Sequence, residues 1–163
     1  MSDNEGASNN ELLMEACRSD NLEMLEEVLC SGPDTFNINY TDGVGNSALH
    51  LAARSGSTEC LEVILYVDGI DVDIANRLEG DTPLHKAAAY SDPEAALQMC
   101  HVLAERGANL TVKNKLRQIA ADVALHSEVK EYLKAEALKA HIDTRDIVHD
   151  DDSDSEGVAS DDE

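Results

Sequence analysis

A segment that recurs at a fixed offset constrains this chain more than any other feature. Gly45-Asn46-Ser47-Ala48-Leu49-His50-Leu51-Ala52-Ala53 returns 35 residues later as Gly80-Asp81-Thr82-Pro83-Leu84-His85-Lys86-Ala87-Ala88. Both copies read Gly, one residue, hydroxyl, small residue, Leu, His, one residue, Ala, Ala. Self-similarity at this period marks stacked units, each too small to bury its apolar face alone.

Local chemistry specifies a helix within each copy. Ser47 and Thr82 are suited to accept an orphan N–H at a helix start, and Pro83 has its φ already set for the first turn. The paired alanines, Ala52-Ala53 and Ala87-Ala88, remove bulk where neighbouring units must approach. A second helix follows, with Cys60, Leu61, Ile64 and Leu65 on one face and, further upstream, Leu22, Leu25, Val28 and Leu29. These second helices stop near Gly32, Gly69 and Gly107, where a left-handed cap costs little.

The repeated segment resembles the ankyrin repeat, whose signature is Gly-x-Thr-Pro-Leu-His-x-Ala-Ala, then a second helix ending in Leu, then Gly-Ala-Asp-Val-Asn. Residues 42–73 and 76–113 match it at full length. Leu12 to Gly32 keeps the spacing, with Ala16 and Leu29 separated by 13 residues like Ala52 and Leu65, but lacks the Thr-Pro-Leu-His tetrapeptide, as an N-terminal capping repeat does. Arg117 to Leu133 resembles a shortened last repeat, with Asp122 in place of the histidine. The resemblance implies an all-α solenoid of about four stacked helix-turn-helix repeats, at about 11–41, 42–75, 76–113 and 114–140, joined by β-hairpin-like loops. The third repeat is about three residues longer between its helices, over Ala88 to Leu97, so a protruding loop is expected there with Pro93 in the first turn of the next helix. The resemblance also makes His50 and His85 structural, bonded to backbone between repeats.

Composition agrees with thin, stacked helices. Of 163 residues 42% are apolar, but only 3% aromatic, with no Trp and Phe36 as the single Phe. The longest purely apolar run, Val63 to Val67, has five residues, far short of the roughly 18 needed to cross a bilayer. Met1-Ser2-Asp3-Asn4-Glu5 is acidic where a secretory signal has a basic start. Cys17, Cys30, Cys60 and Cys100 form no Cys-x-x-Cys pair and read as small buried hydrophobes in a reducing compartment, cytoplasmic or nuclear or both.

No catalytic, cofactor or metal motif is expected: the chain has no Gly-x-Ser-x-Gly, His-Glu-x-x-His, phosphate loop or EF-hand pattern. The Asp150, Asp151, Asp152 cluster lacks the glycine and closing glutamate of a calcium loop. Recognition of a protein is what remains. Carried over from the resemblance, the hairpin tips place Tyr40, Asp42, Val44 and Asn46 on one loop and Leu78, Glu79 and Asp81 on the next. The positions after the paired alanines are Arg54, Ser55, Ala89 and Tyr90. Tyr40 and Tyr90 are the expected anchors, because rings in polar surroundings often carry interface energy.

Charge suggests the partner. The formal net charge is −22, and it is segregated: residues 1–76 hold 15 acidic and two basic side chains, residues 77–142 nine of each, and residues 143–163 ten acidic and one basic. Such a field repels nucleic-acid phosphates and anionic membranes and favours a basic protein partner. Residues 1–10 and the acidic segment 141–163 are expected to be disordered, residues 150–163 carrying eight carboxylates and no cation. In layout, size and tail the chain resembles small ankyrin-repeat escorts of a small-subunit ribosomal protein. That suggests a non-enzymatic, monomeric escort that masks a basic client in ribosome biogenesis. The alternative is a regulatory adaptor for a kinase, transcription factor or proteasome subunit. Ser153 and Ser160, each with a Glu three residues on, and the embedded Ser155 are candidate phosphorylation sites that would add negative charge.

Overall fold

The structure, a computed structural model, describes residues 8–149. Among these residues eight α-helices follow one another as α1 (Asn9–Ser19), α2 (Leu22–Cys30), α3 (Ala48–Ser55), α4 (Thr58–Ile64), α5 (Pro83–Ala88), α6 (Pro93–Glu105), α7 (Ala120–Val123) and α8 (Ser127–His149). They form two layers. The first helices of the repeats stack in the order α1, α3, α5, α7, and the second helices as α2, α4, α6, α8, each pair closing on itself. Between pairs the chain runs out into a hairpin loop; in the first of these Thr41 and Ser47 form an isolated antiparallel bridge.

Small side chains set the spacing between layers. Ala48, Ala52, Ala53, Ala87, Ala88, Ala120 and Ala121 are all buried, and Leu49, Leu61, Ile64, Leu84, Met99, Leu103 and Leu133 fill the space between them. Cys17, Cys60 and Cys100 belong to this core and Cys30 is exposed. Burial pushes the Cys60 and Cys100 thiols up to about 12, so they stay neutral.

The repeats are tied together by histidine. His50 Nδ1 accepts the Ser47 N–H at 3.0 Å, which fixes the proton on Nε2, and Nε2 then donates to the Asp81 carbonyl of the next repeat at 2.8 Å. His85 repeats this, Nδ1 taking the Thr82 N–H at 3.1 Å and Nε2 reaching the Gln118 carbonyl at 2.8 Å. Each ring thereby caps its own helix and satisfies a carbonyl one repeat away. In the last repeat Asp122 Oδ2 accepts the Ile119 N–H at 3.0 Å. It serves the capping half of the histidine's role, and among the described residues no further helix pair stacks on α7 and α8 to take up the bridging half.

The helical boundaries extend past the expected ones at both ends. Ser8 and Glu11 form a reciprocal capping box, so α1 starts at Asn9 within the span expected to be disordered. Likewise α8 continues to His149, beyond the expected limit at residue 140. The extra loop of the third repeat, Ala89 to Asp92, is closed by Asp92, whose side chain accepts the Ala95 N–H at 2.9 Å, with Pro93 in the first turn.

Gly56 shows how tightly the first helices meet. It ends α3 in the left-handed region (φ 73°), and a Cβ there would lie 2.2 Å from the Tyr90 hydroxyl oxygen. Gly56→Ala is expected to lower the unfolding free energy by about 2 kcal/mol or more. Adding Tyr90→Ala should recover part of that loss, as a double-mutant cycle in urea would show.

Burial lowers the pKa of His50 below its ordinary 6.5. Protonation would also set an Nδ1–H against the Ser47 N–H. In the unfolded chain the ring takes up a proton as pH falls through 6.5, whereas the folded ring resists until a lower pH. The stability contributed by His50 is therefore complete above about 6.5 and is lost as pH falls through its depressed folded value. His50→Ala is expected to cost about 2–4 kcal/mol at neutral pH by stranding two backbone groups. It should also flatten the decline in stability as pH falls below about 6.5, measured by urea titration.

Candidate protein-binding surface

The hairpins present a polar spine and an apolar crest. Asp42 Oδ1 accepts the N–H groups of Val44 and Asn46, Asn76 Oδ1 those of Glu79 and Asp81, and Asn114 Oδ1 those of Leu116 and Gln118, all within 3.2 Å. One Asx residue thus folds each loop. The same residues join the loops: Asn76 Nδ2 donates to Asn46 Oδ1 and Asn114 Nδ2 to Asp81 Oδ1, both at 2.9 Å. Backbone bonds from Arg77 N to Val44 O and from Lys115 N to Glu79 O, each 2.9 Å, complete the ladder. On the crest Val44, Leu78 and Leu116 stand 40%, 65% and 77% exposed, one on each hairpin.

Several expected contact residues are used within the fold. Asn46 is 5% exposed and belongs to the ladder, so its side chain is not available on the tip. Asp81 is three-part engaged: Asn114 donates to its side chain, Lys86 pairs with it at 3.4 Å, and its carbonyl holds His50. Glu79 is half-exposed but bonded to Lys86 and Asn76, which together hold its carboxyl below the usual range. Tyr90, like Tyr40, is half-buried against the core; what sets it apart is its hydroxyl, which lies over Gly56 at the end of α3. Arg54 and Ser55 are exposed at the end of α3, far from the hairpins. Asp150, Asp151, Asp152, Ser153, Ser155 and Ser160 lie outside the described residues.

Tyr40 and Asp42 remain beside α1, and Val44 stands exposed on the crest of the same hairpin. Tyr40 and Asp42 line a hollow of about 440 Å³ with Glu11, Leu12, Met14, Glu15, Arg18 and Gly43. A second hollow of about 410 Å³ lies on the other side of Leu12, lined by Met24 and Val28 with Glu23 and Glu27 at its rim. Both combine an apolar floor with a carboxylate rim. Arg18, the cation at the first, is held by Glu15. A third hollow, of about 510 Å³, lies at the other end between Leu78, Lys86, Lys115, Leu116 and Val123.

Leu116 and Lys115 escaped the expected set because Arg117 (φ 66°) stands where the earlier hairpins carry Gly45 and Gly80, which hides the third loop. The signal present was the spacing Asn114-x-Leu116, which matches Asn76-x-Leu78.

Helix pairs stacked through Ser-Ala-Leu-His and Thr-Pro-Leu-His caps, with hairpins ranged along one edge, define an ankyrin solenoid, a class that binds other proteins. The family model for ankyrin repeats (three copies) matches residues 4–114, and the chain belongs to this family. It is 39% identical over 138 residues to an ankyrin repeat-containing protein of Saccharomyces cerevisiae, covering 79% of this chain and 76% of that one. Its repeats are also 43% identical over 82 residues to an E3 ubiquitin-protein ligase, KEG, of Arabidopsis thaliana and 40% identical over 80 residues to protein phosphatase 1 regulatory subunit 12A of Mus musculus. Those two matches span 50% and 49% of this chain but 5% and 7% of the larger relatives. The chain is thus a protein–protein interaction module, and among the described residues no helix is long and apolar enough to cross a membrane.

Crest and spine differ in what they hold. Leu78→Asp and Leu116→Asp are expected to change unfolding free energy by no more than about 0.5 kcal/mol. Asn76→Ala, which strands buried ladder groups, should cost about 2 kcal/mol in the same urea titration.

Proposed function

We propose that this chain is a non-enzymatic escort for a basic client, such as a ribosomal protein in ribosome biogenesis, and that the client's cationic side chains seat around α1 and the first hairpin. The observation that carries this reading is the pairing of charge with shape at that end of the stack. Glu11, Glu15, Asp42, Glu23 and Glu27 rim two hollows whose floors are Leu12, Met14, Met24 and Val28. A Lys or Arg side chain has the matching form, an aliphatic stem with a charged head, and methionine floors adapt to varied stems. Tyr40 adds an aromatic face at the same place.

The surrounding field favours capture. Two cations, Arg18 and Arg54, stand against 15 carboxylates in residues 1–76, and Arg18 is paired with Glu15. Attraction of this kind speeds encounter and weakens as salt shortens its range. Masking would follow directly: basic groups held by carboxylates are withheld from nucleic-acid phosphates.

A second reading, a regulatory adaptor for an enzyme or transcription complex, draws support from the phosphatase regulatory subunit and the ubiquitin ligase whose repeats match half of this chain. Affinity purification of the full chain at about 0.1 M and about 1 M salt, followed by mass spectrometry, separates the two. The escort reading expects a basic protein recovered at low salt, depleted at high salt and depleted by Glu11→Gln, Glu15→Gln, Asp42→Asn. Recovery of a neutral or acidic regulatory complex, indifferent to both changes, would contradict it.

A further inference from the structure

The second and third hairpins have the reverse character of the carboxylate-rimmed hollows. Arg77-Leu78 on the second hairpin and Lys115-Leu116-Arg117 on the third place a cation beside an exposed leucine twice, at stacked positions of the ladder. Within the described residues none of Arg77, Lys115 and Arg117 meets a carboxylate. Arg77 Nη2 donates to the Gly43 carbonyl at 2.6 Å and Lys115 Nζ to the Arg77 carbonyl. Lys86, which faces the same hollow, is already neutralised by Glu79 and Asp81. The crest here is a pair of unpaired-cation and leucine steps, in a chain whose net charge is −22. It suits an acidic segment with little bulk.

The path of α8 runs toward that side of the stack. His126 Nε2 donates to the Ser91 carbonyl, just before α6, at 2.7 Å, and further along Tyr132 meets His101 of α6 at 3.0 Å. Both partners advance in the same direction, so α8 runs parallel to α6. Helix α6 ends at Glu105 and leads into the third hairpin. Helix α8 continues 16 residues past Leu133, the counterpart of Leu103, which carries the chain about 24 Å toward the hairpin side. Residues 150–163 begin there, with eight carboxylates, no cation and small residues between them. Fourteen residues extend up to roughly 46–50 Å.

We propose that residues 150–163 dock along the Arg77-Leu78 and Lys115-Leu116-Arg117 tips of their own chain. Tethering keeps the effective concentration high, so modest contacts suffice. The docked segment would occupy the second and third hairpins, next to the first. The docking does not depend on the client: either can be present without the other.

The test is paramagnetic relaxation on the full chain. A spin label at Ser160→Cys in a Cys30→Ser background reports the segment, because the other three thiols are buried. The expected result is a roughly twofold or greater loss of amide intensity at Leu78, Lys115, Leu116 and Arg117 at about 0.1 M salt. The loss should disappear at about 1 M salt and in Arg77→Glu, Lys115→Glu, Arg117→Glu. Intensity loss confined to α8, or loss at the tips that survives the charge reversal, would overturn the proposal. So would loss centred on the acidic hollows.

Discussion

Every other feature of this protein depends on a histidine that bonds in two directions at once. Four short helix pairs with an alanine-rich interior bury little area per pair, so no pair is stable by itself. The rings of His50 and His85 spend one nitrogen on their own helix start and the other on a carbonyl in the next repeat. Because the second bond lies in the low-dielectric interior, breaking it leaves a buried carbonyl without a partner, and the loss is felt in both repeats. The hairpin ladder of Asn46, Asn76, Asp81 and Asn114 extends the same logic to the edge. Polar groups, more than apolar ones, set the register between repeats here.

A rigid spine lets the edge vary in sequence without losing its shape. The loop-forming side chain is fixed in each hairpin as Asp42, Asn76 or Asn114, while the residues outside it change from Tyr40 and Gly43 to Arg77 and Lys115. The result is an edge graded in charge, carboxylates around α1 and cations on the last two tips. A uniformly acidic chain would repel itself everywhere and discriminate poorly among basic partners. On the proposed escort reading, a graded one would select orientation as well as charge.

Much of this was legible in the sequence. The repeat of Gly-x-Ser/Thr-x-Leu-His placed α3 and α5, and the role of His50 and His85 followed from the resemblance it carries. Pro93 marked the start of α6. What could not be read were bonds that join residues about 30 positions apart: Asn46 and Asp81 look like solvated loop residues, and only the stacking of hairpins turns them inward. Tyr90 looked free for the same reason, since its neighbour Gly56 belongs to the preceding repeat. The ends failed differently. Ser8-x-x-Glu11 is a capping-box pattern masked by polar surroundings, and the composition after residue 140 points to disorder although helix propensity carries α8 onward.

The central claim is that basic partners are received at the α1 end of a graded edge. Its most direct test is an NMR titration of the full chain with a short Lys/Arg-rich peptide at low and high salt. Shifts at α1, α2 and residues 40–44, weakened by salt, are the predicted result. Shifts centred on the second and third hairpins, or a footprint at α1 that salt leaves unchanged, would contradict it.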